Sequence, residues 1–204
     1  MKKFENLEVG TTYSYKEVST LNGYIADSKC YTITADFNMS PEIVTNKRTV
    51  TEIKKVKEDG KTALAGATLQ ILDENKKEIT CTILNGNKET DVQGCSWVST
   101  EDATKIVGLS LKKIYYLRET KAPSGYKVKN DLVAFRLNEE GKVLMLDHNN
   151  NFKVLSEVNQ IKLVNEKIKV NLKIQKVDSE DNKVLAGAKL QLKNSKNEVI
   201  SCSI

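Results

Sequence analysis

The chain repeats itself, and the repeat limits what it can fold into. Lys55-Val-Lys-Glu-Asp-Gly-Lys-Thr-Ala-Leu-Ala-Gly-Ala67 returns 121 residues later as Lys176-Val-Asp-Ser-Glu-Asp-Asn-Lys-Val-Leu-Ala-Gly-Ala188. The match continues without a gap to Ile79-Thr-Cys-Thr-Ile83 and Ile200-Ser-Cys-Ser-Ile204, which is too long for chance. At an offset of 102, Tyr13-Ser-Tyr-Lys-Glu17 and Gly23-Tyr24 match Tyr115-Tyr-Leu-Arg-Glu119 and Gly125-Tyr126. Glu42-Ile-Val-Thr-Asn46 likewise resembles Ile161-Lys-Leu-Val-Asn165. The simplest arrangement makes 1–49 the back part of one module, 50–168 a complete module and 169–204 the front of another. This predicts a piece of a tandem array, cut within a module at both ends, and stacking such modules makes length.

Within 50–168 the pattern is that of short strands. Thr51, Ile53 and Lys55 alternate onto one face, as do Ala67, Leu69 and Ile71, then Ile79, Cys81 and Ile83. Cys95–Val98, Leu132–Leu137, Lys142–Leu146 and Val158–Asn165 extend the series, with Gly, Asn and Asp at the breaks. Thr100-Glu-Asp-Ala reads as the cap of a short helical turn. Close spacing of short strands predicts an all-β fold of tandem, immunoglobulin-like antiparallel β-sandwich modules.

Three residues break the apolar pattern. Glu119 shares a strand face with Tyr115 and Leu117, and Ala-Pro-Ser-Gly then ends that strand. Lys55 falls on the apolar face of the first strand and Asn165 on that of the last. Burying a carboxylate or an ammonium alone costs several kcal/mol or forces it neutral. Taken singly, each reads as a surface lysine, a satisfied glutamate or a strand-end asparagine. Their recurrence as Lys176, Glu17 and Asn46, each in the same register, argues that the three belong together.

These residues resemble the collagen-adhesin B-type, or SpaA-like pilin, domain of Gram-positive surface proteins. Its opening pattern is met at Ile174–Asp178 and Leu185–Ala188, and at Ile53–Lys57 and Leu64–Ala67 with Lys57 in place of Asp. Its Tyr-x-Leu-x-Glu-Thr-x-Ala-Pro-x-Gly-Tyr box is met in full at Tyr115–Tyr126, whereas the first segment has Thr20-Leu21 where Ala-Pro is expected. The resemblance implies a prealbumin-like sandwich and an intramolecular isopeptide bond between Lys55 and Asn165, promoted by Glu119. Burial helps Lys55 lose its proton and become a nucleophile. A protonated Glu119 would then hydrogen-bond the Asn165 amide oxygen and shuttle protons. The reaction happens once per molecule, so turnover enzymology is not expected. The resemblance also implies a secreted, wall-anchored stalk or pilus backbone, with neighbouring modules, other pilin subunits or host matrix as partners.

The remaining features bound the function from outside. The net charge of +5 comes from lysines that alternate with apolar residues, as in Lys167–Ile174, and not from basic residues interleaved with aromatics. That is a solvated strand face rather than a nucleic-acid surface. No apolar run follows Met1-Lys-Lys-Phe-Glu, and none reaches the roughly 18 residues of a membrane helix. Cys81 and Cys95 either bridge neighbouring strands in an oxidising location or stand as separate thiols; the sequence leaves both open. Cys30 and Cys202 complete a set without metal-ligand spacing. His148 reads as a surface-turn residue and Asp178–Asn182 as a solvated turn rather than a calcium loop. No metal or cofactor is expected. A rival function is binding of host matrix protein or glycan through loops such as Asn85–Gly94.

Overall fold

Thr, Val, Ile and aromatic residues in alternation build the strands of the computed structural model, which describes residues 3–147, 149–154 and 159–200; the strands lie between Thr12 and Val164. His148 and Cys202 lie outside the described residues, as do Leu155–Val158. Residues 1–168 form one compact unit and Lys169–Ile204 a second.

The first unit opens with β1 (Thr12–Lys16), β2 (Tyr24–Ile25), β3 (Cys30–Thr34) and β4 (Lys47–Arg48). β1 pairs with β3 and β2 with β4, both antiparallel. Eleven further strands follow: β5 (Val50–Val56), β6 (Thr68–Leu72), β7 (Cys81–Asn85), β8 (Lys88–Val92), β9 (Ser96–Val98), β10 (Thr104–Val107), β11 (Ile114–Lys121), β12 (Val133–Leu137), β13 (Val143–Leu146), β14 (Phe152–Val154) and β15 (Gln160–Val164). They make a five-stranded sheet in the order β15-β5-β10-β7-β8 and a six-stranded sheet in the order β14-β13-β12-β11-β6-β9. Inward residues of both sheets, among them Ile53, Leu69, Ile106, Leu117, Phe135 and Ile161, form one core. Burying such side chains contributes about 1.5–3 kcal/mol each.

Three expectations are corrected. The sandwich is not wholly antiparallel: β15 lies parallel to β5, with Leu163 opposite Lys55. A parallel neighbour needs a long crossover, and β6 to β14 supply it. Thr100–Ala103 makes no helical turn; the Thr100 hydroxyl bonds the Asp102 carbonyl within a bend leading into β10. Asn85–Gly94 is not an open loop. It turns tightly at Gly86-Asn87 and returns as β8, the outer strand of its sheet, before a short 3-10 turn at Gln93–Cys95. Cys81 and Cys95 form a disulfide that ties β7 to the entry of β9 in the other sheet. Cys30 is a free, exposed thiol. Trp97 packs at the margin of the core.

The second unit repeats local hydrogen bonds of the first. Leu185 N donates to Lys176 O at 2.9 Å, as Leu64 N donates to Lys55 O at 3.0 Å. The Val177–Val184 bridge matches that of Val56 and Ala63. Asp178 accepts the Glu180 amide in a turn, without a carboxylate cluster there.

A buried lysine, glutamate and asparagine

Alternation along β5 places Lys55 inward, beyond Thr51 and Ile53, and alternation along β15 carries Asn165 to the same side just past its end. Glu119 arrives from the opposite sheet, where Tyr115, Leu117 and Glu119 are the buried positions of β11. An irregularity between Glu119 and Lys121 in the pairing with β6 ends the regular ladder there, the kind of feature that re-aims a side chain. Lys55 and Asn165 are 1% exposed and Glu119 5%. The sequence-predicted trio therefore meets inside the core, spanning both sheets.

Lys55 Nζ donates to the Leu163 carbonyl at 2.9 Å and to Asn165 Oδ1 in a short contact. The Asn165 amide nitrogen donates to both Glu119 oxygens, at 2.8 and 2.9 Å. Lys55 Nζ stands 3.6 Å from Glu119 Oε1. The backbone amide of Lys129 donates to Glu119 Oε2 at 2.7 Å. That donor carries no side-chain signature in the sequence, because any residue but proline can provide it. Burial pushes the Lys55 ammonium down to about 8, against the opposing pull of the Glu119 charge. An open cavity of about 330 Å³, lined by Lys127–Asp131 and Val164–Glu166, adjoins Asn165.

The nitrogen of Asn165, and not its oxygen, faces Glu119. This is the arrangement an ammonium and a carboxylate select, since one only donates and the other only accepts.

A second acid and amide meet in the first segment. The Asn46 amide nitrogen donates to Glu17 Oε1 and to the Thr20 hydroxyl, each at 2.7 Å. The Asp27 amide donates to Glu17 Oε2 at 2.7 Å, matching the role of Lys129 at Glu119. The Asn46 bond and then the Asp27 amide hold the Glu17 carboxyl below its ordinary range. Both side chains are only half-buried. Lys176 lies exposed in the second unit. Among the described residues no cluster could hold a metal ion, and no helix is long and apolar enough to cross a membrane.

What the fold and site define is a β-sandwich whose first and last strands are joined at the core by a lysine–glutamate–asparagine cluster. The chain belongs to the family of SpaA-type domains with the prealbumin-like fold, whose model matches residues 49–151, half of its length. No curated protein matches the sequence. Among solved structures, the group B streptococcus pilus 2b backbone protein is 20% identical with a TM-score of 0.41, over 68% of this chain and 48% of that one. The Bacillus anthracis TIE protein is 22% identical with a TM-score of 0.49, over 94% of this chain and 31% of that one. The shaft pilin spaA of Lactobacillus rhamnosus GG is 13% identical with a TM-score of 0.42, over 79% and 66%. The chain thus spans less than half the length of the first two.

Proposed function

We propose that the chain is a stalk piece of a bacterial surface adhesin or pilus backbone, held by an isopeptide bond that Lys55 and Asn165 form without outside help. The observation that carries this is the burial of Lys55, Glu119 and Asn165 in mutual contact where the first and last strands of one sheet end. In this reading Lys55 passes a proton to Glu119, and a half-turn of the amide brings Oδ1 against the new carboxylic acid. That hydrogen bond polarises the amide carbon, and the free Nζ attacks it. The Nζ–Cγ bond forms and the Cγ–Nδ2 bond breaks. Both protons that Nζ gives up end on the departing nitrogen, which leaves as ammonium through the adjoining cavity, and Glu119 returns to a carboxylate. Folding supplies the encounter, worth effective molarities on the order of 10⁵ M or more.

The bond closes a loop across a sequence separation of 110 residues. Tension applied at β5 and at the end of β15 would then pass from Lys55 to Asn165 and spare everything between. Glu17 and Asn46 are, in the same reading, the acid and amide of a corresponding site in the preceding module, and Lys176 the lysine of the following one. The working partners are neighbouring modules, and the working place is the cell surface, as the family implies. The test is the intact mass of the reduced, denatured chain. A deficit of one ammonia, absent in Glu119→Ala, is expected; a full mass in the wild-type chain overturns the cross-link.

A further inference from the structure

The sandwich carries a second built feature that the cross-link does not use. Thr49, fully buried, is held from two sides: its amide donates to Gly23 O at 2.9 Å, and its carbonyl accepts from Gly108 N at 3.0 Å. Its hydroxyl donates to Leu109 O at 2.7 Å. Gly23 presses on the same corner, since a Cβ there would lie 2.5 Å from Gly108 O. Ile25 seats against Gly141, where an added Cβ would meet its Cδ1 at 2.6 Å. Asn159 braces that corner by donating to Gly141 O at 3.0 Å and Val50 O at 3.2 Å. Arg48 closes the rim with an ion pair to Glu89 on β8.

The part that docks is a repeated one. Ile168 N donates to Gly125 O at 2.8 Å, as Thr49 N does to Gly23 O, and Tyr126 bridges Lys167 as Tyr24 pairs with Arg48. A Cβ on Gly125, unlike one on Gly23, would meet nothing within 4 Å. The close approach is therefore a property of the seated corner and not of the turn itself.

We propose that the end of the sandwich formed by Glu89, Gly108–Leu109 and Gly141 is a docking seat for the tail of a preceding module, so that two consecutive modules move as one rigid body. The partner is a module of this same kind, offering a Gly-Tyr turn beside its exit strand. This rests on reading 1–49 as the back of a module, but not on the isopeptide bond. The seat fixes both the tilt and the rotation of one module on the next, because backbone hydrogen bonds, a glycine contact and an ion pair engage at separate points.

The test uses residual dipolar couplings of the ¹⁵N-labelled chain. Couplings from residues 12–34 and 50–164 are expected to fit a single alignment tensor. Gly23→Val is expected to split them into two sets. Because that variant could unfold the first segment outright, Arg48→Glu and Glu89→Arg are measured singly and together, with the double variant expected to restore the common tensor. Two tensors in the wild-type chain, or single variants that leave the fit unchanged, overturn the proposal. Intact mass on the same samples reads the Lys55–Asn165 bond separately, so failure of the seat is told apart from failure of the cross-link.

Discussion

The chain holds two acid–amide pairs built from the same parts, Glu119 with Asn165 and Glu17 with Asn46, and they differ in what surrounds them. In both, a glutamate, within β11 for Glu119 and just past β1 for Glu17, accepts the asparagine amide and a backbone amide ten residues further on. The complete site adds Lys55 and near-total burial. The other has Thr20 beside the amide and only half-buried neighbours, Tyr13 and Tyr15 among them. The acid–amide geometry is therefore local, set by one strand, one turn and one returning segment. The lysine is what demands a second sheet, because only enclosure lowers an ammonium to the point where it can act as a nucleophile.

The largest expected effect separates the two glutamates. Glu119→Ala should lower the unfolding free energy by at least about 4–5 kcal/mol, the chain-entropy value of a closed loop of this length. The uncompensated Lys55 left in the core adds to that loss. Glu17→Ala should leave the main transition where it was, since nothing in the core of 50–168 depends on it. Denaturant titrations of the two variants side by side check this. Equal losses would mean that the Glu119 site is ordinary polar packing.

A smaller effect concerns pH. In Asn165→Ala the cross-link cannot form, and Lys55 stays buried beside Glu119. Its proton is held more weakly in the folded chain, at about 8, than in the unfolded chain, near 10.5. Between those values the unfolded state binds more protons, so stability rises as the pH rises. The gain should be about 3 kcal/mol across that window, at about 1.36 kcal/mol per unit. With the proposed cross-link in place Nζ would be an amide nitrogen, and this contribution of Lys55 to the slope should vanish. A flat profile in Asn165→Ala would show that Lys55 reaches water before reaction.

Lys55, Glu119 and Asn165 were legible in the sequence because each sits in register with apolar neighbours, and because each recurs. The strands were legible for the same reason, from Thr51-Ile53 to Ile161-Leu163. What the sequence hides is whatever depends on backbone or on distant pairing. The Lys129 amide carries no side-chain signature. The parallel approach of β15 to β5 depends on the path of everything between them. β8 was hidden because Lys88-Glu-Thr-Asp lacks alternation: these four are exposed, and of this strand only Val92 packs against the core. The contact of Gly23 with Gly108 was hidden too, since a glycine that accommodates a neighbour looks the same as one that serves a turn.

The smallest effect tests how local the acid–amide geometry is. Thr20 stands where the 102-residue repeat has Ala122, and it shares the Asn46 amide with Glu17 Oε1 at equal distances of 2.7 Å. In the complete site that amide instead bridges both carboxylate oxygens. Thr20→Ala should cost the first segment about 1 kcal/mol, the net worth of a single hydrogen bond. It should also move the Asn46 side-chain amide into the bridging position. The readout is the Asn46 side-chain signal in ¹⁵N spectra, shifted towards that of Asn165 in a Lys55→Met chain, where the lysine contact is absent as well. An unmoved Asn46 signal would mean that Glu17 alone fixes the amide. The difference between the two sites would then rest wholly on the lysine and the sheet that encloses it.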